Sequence, residues 1–317
     1  MIDKLTVSVS PHLVRRHLST SRIMWLVTLS LVPAGAVGIF VFGISSLWVI
    51  LVAAVSCAFI EAVIQKLRKQ KVAISDGSAV LTGVLLAYNL PAGIPLWLVV
   101  VGSVVAIAIA KQAFGGLGRN IFNPALVGRV FLLSAWPKYM TTFTKPFDVI
   151  TQATPLALIK EEKVANLAEA GISYMDLFIG NRGGCIGEVC IIALLIGAAY
   201  LFYKEIITWH IPASYLVTVA IFSWIFGSKS GLFSGDVLFH LLSGGLILGA
   251  FFMATDYVTS PLTRKGQIVF GIGCGFFTCV IRFWGGYPEG VSYAILLMNM
   301  TVPLIDRWIR PRRYGVK

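Results

Sequence analysis

The chain has 317 residues, of which 57% are hydrophobic and only 13% charged, and its formal net charge is +12. A soluble domain carries about a quarter of its residues as charges, so this composition excludes a soluble globular protein. The basic excess falls in short clusters between apolar runs: Lys66, Arg68, Lys69 and Lys71, then Arg264 and Lys265, then Arg307, Arg310, Arg312 and Arg313. That distribution belongs to loops flanking a membrane and argues against a nucleic-acid partner.

Residues 1–22 are polar and of mixed charge, with no apolar stretch ahead of a cleavage site, and read as an uncleaved cytoplasmic segment. Apolar runs follow at 23–44, 47–64, 77–89, 94–114 and 123–136. Crossing the hydrocarbon takes about 20 helical residues. The runs at 77–89 and 123–136 are too short for that and predict broken or half-length helices, whose free backbone ends other protein must cover. A polar stretch, 137–188, separates these five from five more at 189–203, 211–226, 237–255, 267–281 and 290–305, and a basic tail closes the chain at 307–317.

The expected fold is an all-α polytopic membrane protein of about ten transmembrane helices, in two inverted five-helix repeats at 23–136 and 189–306. Pro91 and Pro261 are 170 positions apart, as are the Gly115-Gly116 and Gly285-Gly286 pairs. Five spans is an odd number, so a second copy enters from the opposite side, and Gly/Pro-interrupted segments at matching positions point to a site between the halves. With the N-terminus inside, 18 of the 26 basic residues fall on cytoplasmic segments. Lys138, Lys145, Lys160, Lys163, Arg182 and Lys229 fall outside. Both termini are therefore expected in the cytoplasm and the 137–188 loop outside it.

Three groups of residues are candidates for chemistry. The stretch DVITQATP from Asp148 to Pro155 contains ordinary capping and turn residues, Asp148, Thr151 and Thr154. Residues 115–124 carry three glycines with Arg119, Asn120 and Asn123, and read either as a tight interhelical turn or as a lining of the interface between halves. Glu61, Asp76, Arg129, Asp256, Arg282 and Asp306 lie in or at the ends of spans, where a charge signals function or pairing. Arg129 is in the middle of a short span, and Glu61 is one turn from Lys66 and Arg68, its expected partners. The five cysteines form no CxxC, and Cys185 and Cys190 are either a disulfide or two free thiols. Trp25, Trp97, Trp136, Trp209, Trp284 and Trp308 fall near span ends as an aromatic belt.

Taken together, SDGSA from Ser75, GGLGRNIFNPA from Gly115 to Ala125 and ATPL from Ala153 to Leu156 resemble the D-subunit family of Rnf electron-transport complexes. The B-type membrane component of the sodium-pumping NADH:quinone oxidoreductase is its close relative. The resemblance covers essentially the whole chain. It implies that a flavin transferase esterifies FMN to the last Thr of an Asp-x-x-(Ser/Thr)-x-Ala-Thr motif, which reads here Asp148, Thr151, Ala153 and Thr154. Thr154 is the implied acceptor. Gln152 stands where the family pattern commonly has Ser or Gly.

The resemblance further implies a redox relay within an ion-translocating ferredoxin:NAD oxidoreductase, with a second, non-covalent flavin such as riboflavin inside the bundle. Arg119, Asn120, Asn123 and Arg129 are its candidate contacts. Neighbouring Rnf subunits, including those facing ferredoxin and NAD and a second FMN carrier, would be the partners, together with the transferase and the lipid bilayer of a prokaryotic inner membrane. Fold alone also allows a channel or secondary transporter for a small solute.

Overall fold

In the computed structural model the described residues are 6–7, 13–14, 19–144, 151–160, 173–180, 182–227 and 231–310. A two-residue pair, β1 (Thr6–Val7) on β2 (Leu13–Val14), precedes the first helix. Helix α1 (Thr20–Phe42) starts at Ser19, whose hydroxyl accepts from the Arg22 N–H at 3.2 Å, an N-cap. It turns into α2 (Ile44–Leu67) through the single residue Gly43, at φ +78°. With α13 (Arg264–Trp284), these are the three helices among the described residues that are long and apolar enough to cross a membrane, with mean hydropathies of 2.1, 2.5 and 1.5. The chain is a polytopic membrane protein.

Helix α3 (Ser78–Tyr88) is half that length, and every residue except Val80 is buried, as an apolar surface on all sides requires. Gly83 lets its backbone reach α2, since a Cβ there would lie 2.6 Å from Ala53 O. Helix α4 (Leu96–Val104) continues as a π-helical segment, Val105–Gln112, before the glycine turn. Helix α5 (Pro124–Ala135) begins inside the protein, with Asn123 accepting from Ala125 N–H and Leu126 N–H at 3.1 and 3.4 Å and Pro124 in the first turn. Both short runs are thus short helices.

The central segment forms α6 (Pro137–Thr141), a two-residue pairing of β3 (Phe143–Thr144) with β4 (Thr151–Gln152), α7 (Pro155–Lys160) and α8 (Tyr174–Ile179). Its end does not stay outside the bundle. Cys185, Ile186 and Glu188 are at most 3% exposed, and Ile186 N–H donates to Leu90 O at 3.1 Å. Then come α9 (Ile191–Tyr203) and α10 (His210–Phe226). The run at 237–255, expected as one span, is instead interrupted: α11 (Val237–Leu242) stops at Ser243, and α12 (Leu246–Leu248) restarts and passes into a second π-helical segment, Gly249–Met253. Gly244 at φ +69° makes the break. Helix α14 (Val291–Trp308) closes the bundle beside α13.

Leu31, Leu86 and Leu126 from the first half share one core with Leu246, Phe270 and Ile295 from the second. Helix α5 links the two ends of this bundle, with Pro124 bordering one cavity and Arg129 and Leu133 another.

Candidate functional site

The pairing of β3 with β4 sets Phe143 opposite Gln152 and so holds the 151–154 segment against the mouth of the bundle. Thr154 follows at once and is 5% exposed. Its carbonyl accepts from Leu158 N–H at 3.0 Å and its hydroxyl from Ala157 N–H at 3.3 Å, so it starts α7 as the sequence pattern of a cap requires. The same residue lines a cavity of about 530 Å³. The walls include Ala153, Thr154, Phe143, Arg129, Glu289 and Tyr293. Tyr287 and Tyr293 stack there with ring centroids 5.2 Å apart. Asp148, the first residue of the motif, lies outside the described residues, as does the side chain of Thr151.

Arg129 is the charged centre of this end. It is 6% exposed, and its Nη1 donates to Asn89 Oδ1 at 2.6 Å and lies 3.5 Å from Glu188 Oε1. Its Nη2 pairs with Glu289 and faces Cys185 Sγ at 3.8 Å. A guanidinium forks between two carboxylates because its donors are planar and fixed. These partners come from α3, the buried turn before α9 and the loop before α14, so Arg129 ties the two halves together. Glu289 Oε1 is buried without a partner. Arg182 adds a second guanidinium, donating to Glu188 O at 3.1 Å. The described cysteines, Cys185 and Cys190 included, are free thiols.

At the other end of the bundle, Glu61 does not pair with Lys66 or Arg68. It faces inward, where Lys111 Nζ lies 2.7 Å from its Oε2, and Gln112 and Gln65 donate to Oε1 at 2.9 and 3.2 Å. Lys111 also donates to Ser78 Oγ at 2.6 Å, and Ser78 in turn to Asp76 Oδ1 at 2.8 Å. The charge count placed Lys111 among the cytoplasmic residues, yet it is 1% exposed. Sequence reasoning missed it as a buried group because a lysine at a span end ordinarily reaches water.

Asn120 and Asn123 border a cavity here with Lys111, Ser78 and Asp256, while Arg119 is exposed and outside its lining. Asn123 Nδ2 donates to Met253 O at 3.3 Å. The free volume is about 80 Å³, far below the roughly 300–1,000 Å³ of small-molecule sites. A flavin ring does not fit it as it stands. The 530 Å³ cavity at Thr154 falls within that range, and its lining combines Thr154, the Arg129–Glu289 ion pair and two stacked tyrosine rings.

The family described as NQR2, RnfD, RnfE matches residues 6–315. The D subunit of the Na⁺-translocating ferredoxin:NAD⁺ oxidoreductase complex of Acetobacterium woodii is 52% identical over 316 residues, covering 98% of this chain and 96% of that one. The proton-translocating counterpart from Clostridium ljungdahlii is 48% identical, with coverages of 98% and 96%. The D subunit of the ion-translocating oxidoreductase complex of Citrobacter koseri is 41% identical, with coverages of 93% and 95%.

Proposed function

Because the chain belongs to the NQR2, RnfD, RnfE family, we propose that it is the D-type membrane component of an ion-translocating ferredoxin:NAD oxidoreductase complex and carries FMN esterified to Thr154. The observation that carries the flavin reading is the place of Thr154, which lines the 530 Å³ cavity together with Arg129, Glu289 and Tyr293. When bound, FMN supplies the one- and two-electron chemistry; the chain supplies position and charge. Thr154 would tether the phosphoryl group, the Arg129–Glu289 pair would present both signs of charge to it, and Tyr287 and Tyr293 would offer stacked rings beside it.

The reading extends to the arrangement around the site. Ten spans in two inverted halves are supported by the 170-residue spacing of Pro91 and Pro261 and by short third elements in both halves, α3 and α12 with its π continuation. The charge count favours both termini in the cytoplasm and Thr154 on the outer face of a prokaryotic inner membrane. Partners are the other subunits of such a complex and a flavin transferase. A second, non-covalent flavin belongs to the proposal, but binding beside Asn120 and Asn123 requires the halves to part. Of the relatives, one belongs to a Na⁺-translocating complex and another to a proton-translocating one.

The test is the intact mass of the chain co-expressed with a flavin transferase of the family. An added FMN phosphoester that disappears in Thr154→Ala supports the reading. An unmodified wild-type mass overturns it and favours a channel or transporter.

A further inference from the structure

A second cavity flanks α7 on the face away from Thr154. It measures about 490 Å³, and Leu156, Lys160, His240, Arg282, Phe283 and Trp284 are among its walls. Its described lining holds three basic side chains and no acidic one. The most buried is Arg282, at 4% exposure, whose Nη1 and Nη2 donate to the carbonyls of His240 and Ser243 at 2.6 and 3.0 Å. Carbonyls orient the guanidinium, with Glu289 Cγ and Arg282 Nη2 both within 4 Å of the position a Cβ on Gly244 would take. The ion pairs among the described residues are Lys111–Glu61, Arg129–Glu188 and Arg129–Glu289, and Arg282 is in none of them.

The polar groups here are incompletely satisfied. Arg282 Nε and His240 Nδ1 are both buried without a hydrogen-bond partner, and His240 is only 7% exposed. Lys160 places its ammonium against Ile281 O and Tyr287 O at 3.1 and 2.8 Å, leaving one of its three donors over. Asp236, the acid at the start of α11, is already engaged: it accepts from Phe239 N–H at 2.9 Å and from the Tyr174 hydroxyl. Glu289 and Glu188 act on Arg282 from a distance, and neither forms a direct ion pair with it. The rim is apolar and open, with Phe226, Leu232 and Trp284 exposed by 39%, 66% and 63%.

We propose that this cavity binds the phosphate of a phospholipid headgroup, held by Arg282, His240 and Lys160, with the acyl chains lying over Phe226, Leu232 and Trp284. Phosphate supplies a negative charge in direct contact with the cavity, whose described lining holds no carboxylate, and accepts several donors at once. The exposed apolar rim points to a lipid as the source rather than a free ion. The site is independent of the flavin at Thr154, which borders the other cavity.

Native mass spectrometry of the full chain in detergent, titrated with phosphatidylglycerol, tests it. The wild-type chain is expected to retain the lipid saturably, with Lys160→Gln and Arg282→Gln each weakening binding by about tenfold or more, the loss of one charge-assisted hydrogen bond. Lys160 is the less buried of the two, so its variant keeps the test decisive if Arg282→Gln misfolds. Displacement of the lipid by inorganic phosphate supports the phosphate site and assigns its source to a free anion as well. Equal binding by wild type and both variants overturns the proposal. So does lipid binding seen only in Thr154→Ala, which would give this cavity to the flavin phosphate.

Discussion

Lys111 Nζ lies 2.7 Å from Glu61 Oε2, with neither side chain more than 3% exposed, on helices fifty positions apart in the chain. Removing one partner leaves the other as a buried, uncompensated charge. Glu61→Ala or Lys111→Ala is therefore expected to destabilise the chain by about 3–5 kcal/mol, read as a lower melting midpoint in detergent. Replacing both, Glu61→Ala with Lys111→Ala, costs less than the sum of the single changes. Additive costs in that double-mutant cycle would contradict the pairing.

Thr154 has two roles that substitution can separate. Thr154→Ala loses both the cap, at about 0.5–2 kcal/mol, and the proposed ester. Thr154→Asn keeps a capping side chain yet has no hydroxyl to esterify, so it should match the wild-type stability of the unmodified chain while gaining no flavin mass. Retained flavin in Thr154→Asn would move the attachment elsewhere.

Arg129 serves Asn89, Glu188 and Glu289 through one planar fork. Arg129→Lys keeps the charge but cannot span all three, and a loss of about 1–3 kcal/mol follows. Arg129→Gln strands both carboxylates and costs more, about 3–5 kcal/mol. Melting midpoints ordered wild type, Lys, Gln are the expected result; equal midpoints would refute the role.

A close packing contact lies between α1 and α3. Tyr88 donates to Leu31 O at 2.7 Å, and a Cβ on Gly35 would collide with its hydroxyl. Gly35→Ala should cost about 1–3 kcal/mol by overpacking. Tyr88→Phe loses one hydrogen bond, about 1 kcal/mol, but removes the colliding atom, so the double variant is expected to be more stable than Gly35→Ala alone. A double variant less stable than Gly35→Ala would show that the ring, not the hydroxyl, sets the fit.

Much of this was legible in the sequence, for identifiable reasons. Runs of apolar residues reveal helices directly, and the two short runs became α3 and α5. A charge in mid-span marked Arg129, although Glu188 and Glu289 were hidden in segments that read as loops. The break at Gly244 was not legible, because Ser and Gly within an apolar run are also ordinary interior residues of membrane helices. Glu61 was paired with near neighbours because sequence proximity is the only distance a sequence displays, whereas its partner arrives from another helix. The cavity at Arg282 depends on four helices converging, α7, α10, α11 and α13, which no local pattern encodes.

The π-helical segment Val105–Gln112 contains Lys111, and Gly116 N–H closes its last wide turn by donating to Lys111 O at 3.1 Å. Each such turn takes up one residue more than an α-turn, and one residue is worth about 100° of rotation around the helix axis. The widened turn thus works as a phase shift: it changes the face of the helix on which the residues beyond it fall. In regular α-helix the ammonium would swing about 100° away from Glu61. The ion pair at this end of the bundle therefore depends on how the backbone winds as much as on the two side chains that form it.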